Sequence, residues 1–323
     1  MCTSVLMKGD RPFFGRNMDV YFDLDLSIVI TPGRYPFEFR AAEGTCDHYA
    51  MIGMATVKEG VPLYFDAVNE HGLGISALDF PHNAFYKEKT EQGRVNIAPF
   101  EFISYLLSSC RDLSQAKEAL NNITLASINF SPDLPLTPLH WHIADRNGSA
   151  VFEVTKNGSK IYDDPFDVLT NNPPFDFHTA NMAHYLNLST DCPKNGFSEC
   201  GTVPFSFGLG AHGLPGDSSS TSRFVKAAFL LKNSEISEKN SGISQFFHIL
   251  SAVRMVRGSV DAHGGRKDMT LYSSCADLLE GIYYYTTYDN SRICAVKMKN
   301  AELSGEKLSI FKVSDSQDIH FQN

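Results

Sequence analysis

The sequence predicts an α+β protein in which two β-sheets pack face to face and helices cover their outer sides. Three observations lead there. Short apolar, β-branched or aromatic runs bounded by turn residues fill the first third of the chain, helical periodicity follows from Pro99, and strand-like runs return at the C-terminal end.

In chain order, strands are expected at Thr3–Met7, Leu26–Thr31, Tyr49–Val57, Pro62–Val68 and Leu73–Leu78. The segment Phe13–Asp19 pairs with the first of these through the KGDRP turn. Helices are expected at Pro99–Ser109, where Pro99 suits a first turn, and at Leu113–Ile123, where Leu113, Ala116, Ala119, Leu120 and Ile123 share a face. Strands return at Leu139–Ala144 and Ser149–Thr155, followed by a loop-rich stretch from Thr170 to Thr221. Helices at Arg223–Lys232 and Ile243–Val256 precede three closing strands, Gly281–Tyr288, Arg292–Lys297 and Leu308–Val313, the first two forming a hairpin through Asp289-Asn290-Ser291. No repeat, low-complexity tract or linker-like shift divides residues 1–323, so one domain is expected.

Composition narrows the function. With 43% hydrophobic and 20% charged residues the chain reads as an ordinary soluble protein. A net charge of −9 without a Lys/Arg cluster argues against nucleic acid as a partner. No apolar run is long enough for a membrane span, and Lys8, Asp10, Arg11 and Arg16 break the N-terminus before a leader's apolar region forms. Seven cysteines (2, 46, 110, 192, 200, 275 and 294), odd in number and without CxxC spacing, fit a cytoplasmic protein with free thiols.

Two motifs fail on context. Gly208–Gly213 (GLGAHG) matches the dinucleotide fingerprint but runs into LPGDSSS rather than from a strand into a helix. His140 and His142 alternate on a strand as metal ligands might, but lack a third ligand, and burial beside Trp141 accounts for them. No GxSxG elbow is present.

The chemistry concentrates at the N-terminus, MCTSVLMKGDRPFFGRNMD. Removal of Met1 gives Cys2 a free α-amine, which titrates near ~7.7–8 and suits a general base at neutral pH. Nucleophile and base then share one residue. The Phe13–Asp19 segment returns Arg16 and Asp19 beside it, a guanidinium to favour thiolate and a carboxylate to orient the amine.

MCTS with FGRNMD, YFDAVNEHGLGISALDFP (64–81), PLHWHIAD (138–145), VLTNNPPFDFH (168–178), HGLPGDSSSTSRFVKAAF (212–229), QFFHIL (245–250) and GIYYYTTYDN (281–290) together resemble the choloylglycine hydrolase family. That family holds the conjugated bile acid hydrolases and the penicillin V acylases, which are N-terminal nucleophile amidases. The resemblance implies a four-layer αββα sandwich with Cys2 as nucleophile and its amine as base. It implies roles near the nucleophile for Arg16 and Asp19, an oxyanion-hole side chain in Asn171, the second oxyanion donor in the backbone N–H of Asp79, and positive charge from Arg223. Met18 and Phe65 would line the pocket. The bile acid hydrolases carry Asn at the position of Asp79 and the penicillin V acylases commonly Tyr, so substrate preference rests on this departure.

The resemblance further implies a homotetramer to which the loop around Leu186–Gly216 contributes, a small-molecule substrate, and no metal or cofactor. The activity expected is hydrolysis of glycine- or taurine-conjugated bile acids, with phenoxyacetyl cleavage of penicillin V as the alternative. A glutamine-dependent amidotransferase would begin Cys-Gly and carry a synthase domain, and a silent binding protein on the same scaffold would keep Met1.

Overall fold

The computed structural model describes residues 1–196, 201, 203–235 and 242–323. The strands are β1 (Cys2–Met7), β2 (Phe13–Val20), β3 (Ser27–Thr31), β4 (Met51–Lys58), β5 (Val61–Asn69), β6 (Gly74–Asp79), β7 (Val95–Ile97), β8 (Ile123–Leu125), β9 (Leu139–Asp145), β10 (Gly148–Thr155), β11 (Gly158–Asp164), β12 (Val168–Leu169), β13 (Val260–Asp261), β14 (Lys267–Asp277), β15 (Ile282–Thr287), β16 (Cys294–Lys297) and β17 (Ser309–Lys312). The helices are α1 (Phe102–Ser109), α2 (Leu113–Leu120), α3 (Phe175–Asn181), α4 (Ser220–Lys232) and α5 (Ile243–Ser251).

Two sheets carry the fold. One runs β12-β1-β2-β14-β15-β16 with β13 beside β14; the other runs β11-β10-β9-β6-β5-β4-β3-β17. β1 and β2 of the first touch β6 of the second, so the sheets face each other. Helices α1 and α2 pack on the outer side of the second sheet, and α4 and α5 on the outer side of the first. This is the four-layer α+β sandwich expected. One apolar cluster joins the inner faces and the α4–α5 side; another, around Trp141, Phe102 and Phe152, lies under α1 and α2.

Several expected bounds shift. Ile123 leaves the second helix, which ends at Leu120, and joins a short parallel pair with β7. Leu308–Val313 appears as β17, but against β3 in the second sheet rather than beside the closing hairpin. β14 carries no expectation at all, although it is the longest strand and joins β2 to β15. β11 and β12 are likewise additions. Cys200 and part of the Leu186–Gly216 loop lie outside the described residues. Within that loop, Gly208–Gly213 contains a single turn of 3-10 helix, not a strand-to-helix junction.

Candidate active site

Strand alternation decides what surrounds Cys2. β1 and β2 pair antiparallel with Cys2 opposite Met18 and Ser4 opposite Arg16, so these four side chains share the face turned to the second sheet. Thr3, Asn17 and Asp19 point the other way, toward α4 and α5. Asn17 Nδ2 accordingly donates to Leu250 O at the end of α5, 2.8 Å away.

On the inner face, Arg16 Nη2 donates to Cys2 Sγ at 2.5 Å and Met18 Sδ lies 3.9 Å from the same sulfur. Arg16 has no exposed surface. Its place follows from a gap in the second sheet. β5 and β6 pair only from Asp66–Ser76 to Val68–Gly74, and the next rung, Phe65 with Ala77, is open. Arg16 Nη1 donates to both of those carbonyls, the Phe65 one at 3.1 Å, replacing the missing ladder bonds. Phe65 is also the extra residue of a bulge, since Met54 faces Asp66 and Ala55 faces Tyr64. Burial works against the Arg16 cation, but Cys2, Tyr272, Asp66 and Asp19 outweigh it and hold the group charged.

Asn171 follows β12 and binds both sheets. Its Oδ1 accepts from Cys2 N at 2.6 Å and Arg223 Nη2 at 2.9 Å, and its Nδ2 donates to Asp79 O at 2.7 Å. Asp79 ends β6 opposite Leu139. The bonded pair on that ladder is Phe80 with Pro138 (N to O 2.8 Å), so Asp79 and Leu139 form a non-bonded pair, and Leu139 N donates instead to Tyr86 Oη at 2.7 Å. The Asp79 N–H therefore points toward the side where β5 no longer pairs. By strand alternation Asp79 falls on the face of Ala77 and Trp141, but at the end of β6 its carboxyl still feels the Met1 amine and His140. Desolvation raises the Asp79 carboxyl; the N-terminal amine and His140 partly offset it.

Arg223, on the first turn of α4 behind the Ser219 cap, reaches Cys2 O, Thr3 Oγ1 at 2.5 Å and Ser218 O at 3.1 Å. Its nearest carboxylate is Asp19, at 4.0 Å. Asp19 is fully buried, accepts from Thr270 Oγ1 at 2.6 Å, and leaves Oδ2 without a partner. Desolvation raises the Asp19 carboxyl, and Arg223 is the first of the groups that counter it.

The structure begins at Met1, so Cys2 N is a peptide amide standing where the free amine would be. The Met1 ammonium donates to Asp19 O at 2.6 Å and lies 3.4 Å from Asp268 Oδ2. The seven other residues named from the sequence thus lie around Cys2, in two groups: Arg16, Met18 and Phe65 between the sheets, and Asp19, Arg223, Asn171 and Asp79 toward α4 and the strand ends.

Sequence reasoning missed Asp66, Asp268, Thr270, Tyr272, Ser274 and Tyr283. Tyr272 Oη (2.6 Å), Ser274 Oγ (3.1 Å) and Tyr283 Oη all donate to the Asp66 carboxylate beneath Arg16. The DA of FDAV and the hydroxyls of TLYSS were the available signal. His140 and His142 are spent structurally: Nε2 of His140 meets Thr170 O at 2.9 Å, and Nδ1 of His142 meets Ser4 Oγ at 2.9 Å.

Among known proteins, the chain is 45% identical, over all of both chains, to a bile salt hydrolase/transferase of Lactiplantibacillus plantarum. Its structure is similar to that of conjugated bile acid hydrolase from Clostridium perfringens, with TM-score 0.92 and 35% identity over 100% of each chain. A penicillin V acylase from Agrobacterium tumefaciens shares the fold at TM-score 0.76 and 19% identity, covering 96% of this chain and 90% of that one. A family profile described as linear amide C–N hydrolases, choloylglycine hydrolase family, matches residues 2–320. With its Cys2-centred site and that match, the chain belongs to the choloylglycine hydrolase family and is an amidohydrolase.

Proposed function

We propose that this enzyme hydrolyses the amide bond of glycine- or taurine-conjugated bile acids through Cys2. The observation that carries the mechanism is the pair of contacts on Cys2, Arg16 Nη2 at 2.5 Å from Sγ and Asn171 Oδ1 at 2.6 Å from N. Once Met1 is removed, Sγ attacks the amide carbonyl, and its proton passes through the Cys2 amine to the departing amino group. Asn171 Nδ2 has a second N–H besides the one on Asp79 O, and that proton together with the Asp79 N–H would hold the oxyanion. Arg223 fixes Asn171 and the Cys2 carbonyl. Water then cleaves the thioester; an amine in place of water would give the transfer named for the plantarum relative.

Full-length identity to bile salt hydrolases favours that substrate over penicillin V, for which the likeness supports the fold alone. The profile match across residues 2–320 supports a single domain. Exposed Leu186, Phe205 and Phe207 support a homotetramer assembled partly through their loop, which light scattering would test. Free thiols, six among the described residues, support a cytoplasmic location; no helix among those residues is long and apolar enough to cross a membrane.

The deciding experiment measures amine release from glycocholate, taurocholate and penicillin V side by side. Preferential cleavage of the bile salts is expected. Faster cleavage of penicillin V, or no cleavage of any conjugate by Met1-free protein, would overturn the reading.

A further inference from the structure

Between the sheets lies a buried acidic centre that the mechanism above does not use. Asp66 is 3% exposed, and its carboxylate takes hydroxyl donors from three residues on two neighbouring strands: Tyr272 and Ser274 on β14 and Tyr283 on β15. A carboxylate receiving three O–H groups is held as acceptor, the role of its charged form. Ser274 Oγ also accepts from Arg16 N at 3.2 Å, tying the cluster to the strand that carries the guanidinium. The Arg16 protons themselves go to Cys2 Sγ and to the Phe65, Ala77 and Asn17 carbonyls. Asp66 therefore acts on Arg16 as a charge rather than as a hydrogen-bond partner. The titratable groups acting on Arg16 are Cys2 from β1, Tyr272 from β14 and Asp66 from β5, with Asp19 of its own strand acting from the opposite face.

We propose that Asp66 is a positioning residue for the nucleophile: its carboxylate, fixed by three hydroxyls, shares the buried Arg16 cation with the Cys2 sulfur and limits how far that cation drives the thiol toward thiolate. The inference rests on Cys2 being the nucleophile. A guanidinium does not lose its proton in a protein, so a buried Arg16 seeks whatever negative charge is near. With Asp66 present, the cation is partly satisfied and draws less on the sulfur. Without Asp66, the sulfur is the remaining inner-face anion, becoming a more stable ion and a weaker nucleophile. Burial leaves the Asp66 carboxyl raised, and Arg16 heads the influences that oppose it, followed by the three hydroxyls.

The test is the pH dependence of Cys2 alkylation by iodoacetamide in Met1-free enzyme, read by mass spectrometry on the N-terminal peptide. This readout concerns the thiol alone and stands whichever amide the enzyme cleaves. Asp66→Asn is expected to lower the alkylation midpoint by about one pH unit, the scale of a nearby buried charge. With a Brønsted slope near ~0.5, kcat then falls roughly threefold at unchanged KM. Folded Asp66→Asn protein with the wild-type midpoint would overturn the proposal. Should that variant not fold, Tyr272→Phe combined with Tyr283→Phe removes two of the three hydroxyls and is expected to move the midpoint in the same direction. A midpoint unmoved there would overturn it equally.

Discussion

Asn171 uses its backbone as fully as its side chain: N donates to Ser220 Oγ at 2.8 Å, and O accepts from His178 Nε2 at 2.9 Å. His178 is buried and stacks on Phe224 with ring centres 4.8 Å apart, and burial pushes its imidazole from 6.5 down to about 4. Between those values the unfolded chain binds a proton there that the folded chain does not, so stability falls as pH drops through this window, by on the order of 3 kcal/mol in total. Urea midpoints taken from pH 7 to 4 should show that slope, and His178→Phe should flatten it; an equal slope in both proteins would contradict the assignment. Asp79 has the opposite sign. Its carboxyl is raised, so the ionised form is disfavoured in the folded chain and stability is lost as pH rises through the folded value. Asp79→Asn should therefore raise Tm at pH 7 and leave it unchanged near pH 3. Because register places Asp79 on the face of Ala77 at the end of β6, the same substitution should alter kcat/KM by less than about fivefold. A gain of a hundredfold would place the carboxylate beside the oxyanion instead. Cys2, Arg16 and Asn171 were legible in the sequence because their motifs are contiguous. Asp66 was not, since one acidic residue in a strand looks the same whether it meets water or a buried cation.

At the scale of elements, legibility followed the hydrophobic pattern. β4 and β9 were readable as apolar runs. β14 was not: Asp268, Thr270, Ser273, Ser274 and Asp277 are buried polar residues on a strand covered on both sides, so its polarity imitates a loop. The same contacts with β2 and Asp66 that hide it place it under the site. The β2–β14 junction also requires a residue without a side chain. A Cβ at Gly15 would lie 2.1 Å from Ser274 O, a backbone atom that moves only if the strands part. Gly15→Ala should cost ~3 kcal/mol or more and lower activity with it, because Arg16 adjoins the displaced position. Gly148→Ala meets nothing within 4 Å and should stay within about 0.5 kcal/mol of the parent. Equal urea midpoints for the two variants would show that the strands tolerate separation.

At the scale of the whole molecule, the layering brings the chain end to the middle of the structure. β1 sits between β12 and β2, with the second sheet on one side and α4 on the other. Cys2 is thus only 3% exposed at the start of β1. Three of the four layers converge on it: Arg16 and Asp66 between the sheets, Asn171 at the strand end, and Arg223 from the α4–α5 layer. The layers were foreseeable from strand and helix patterning, whereas the meeting of Asp66 with β14 and β15 depends on a register that no local pattern states. With Met1 attached, Cys2 N is spoken for as an amide, and the proposed nucleophile lacks its proposed base. The most direct measurement is glycine release from glycocholate, set against the Met1-free fraction of the same preparation by intact mass. Turnover should rise in proportion to that fraction and vanish in folded Cys2→Ala; full turnover by protein that retains Met1 would contradict the account.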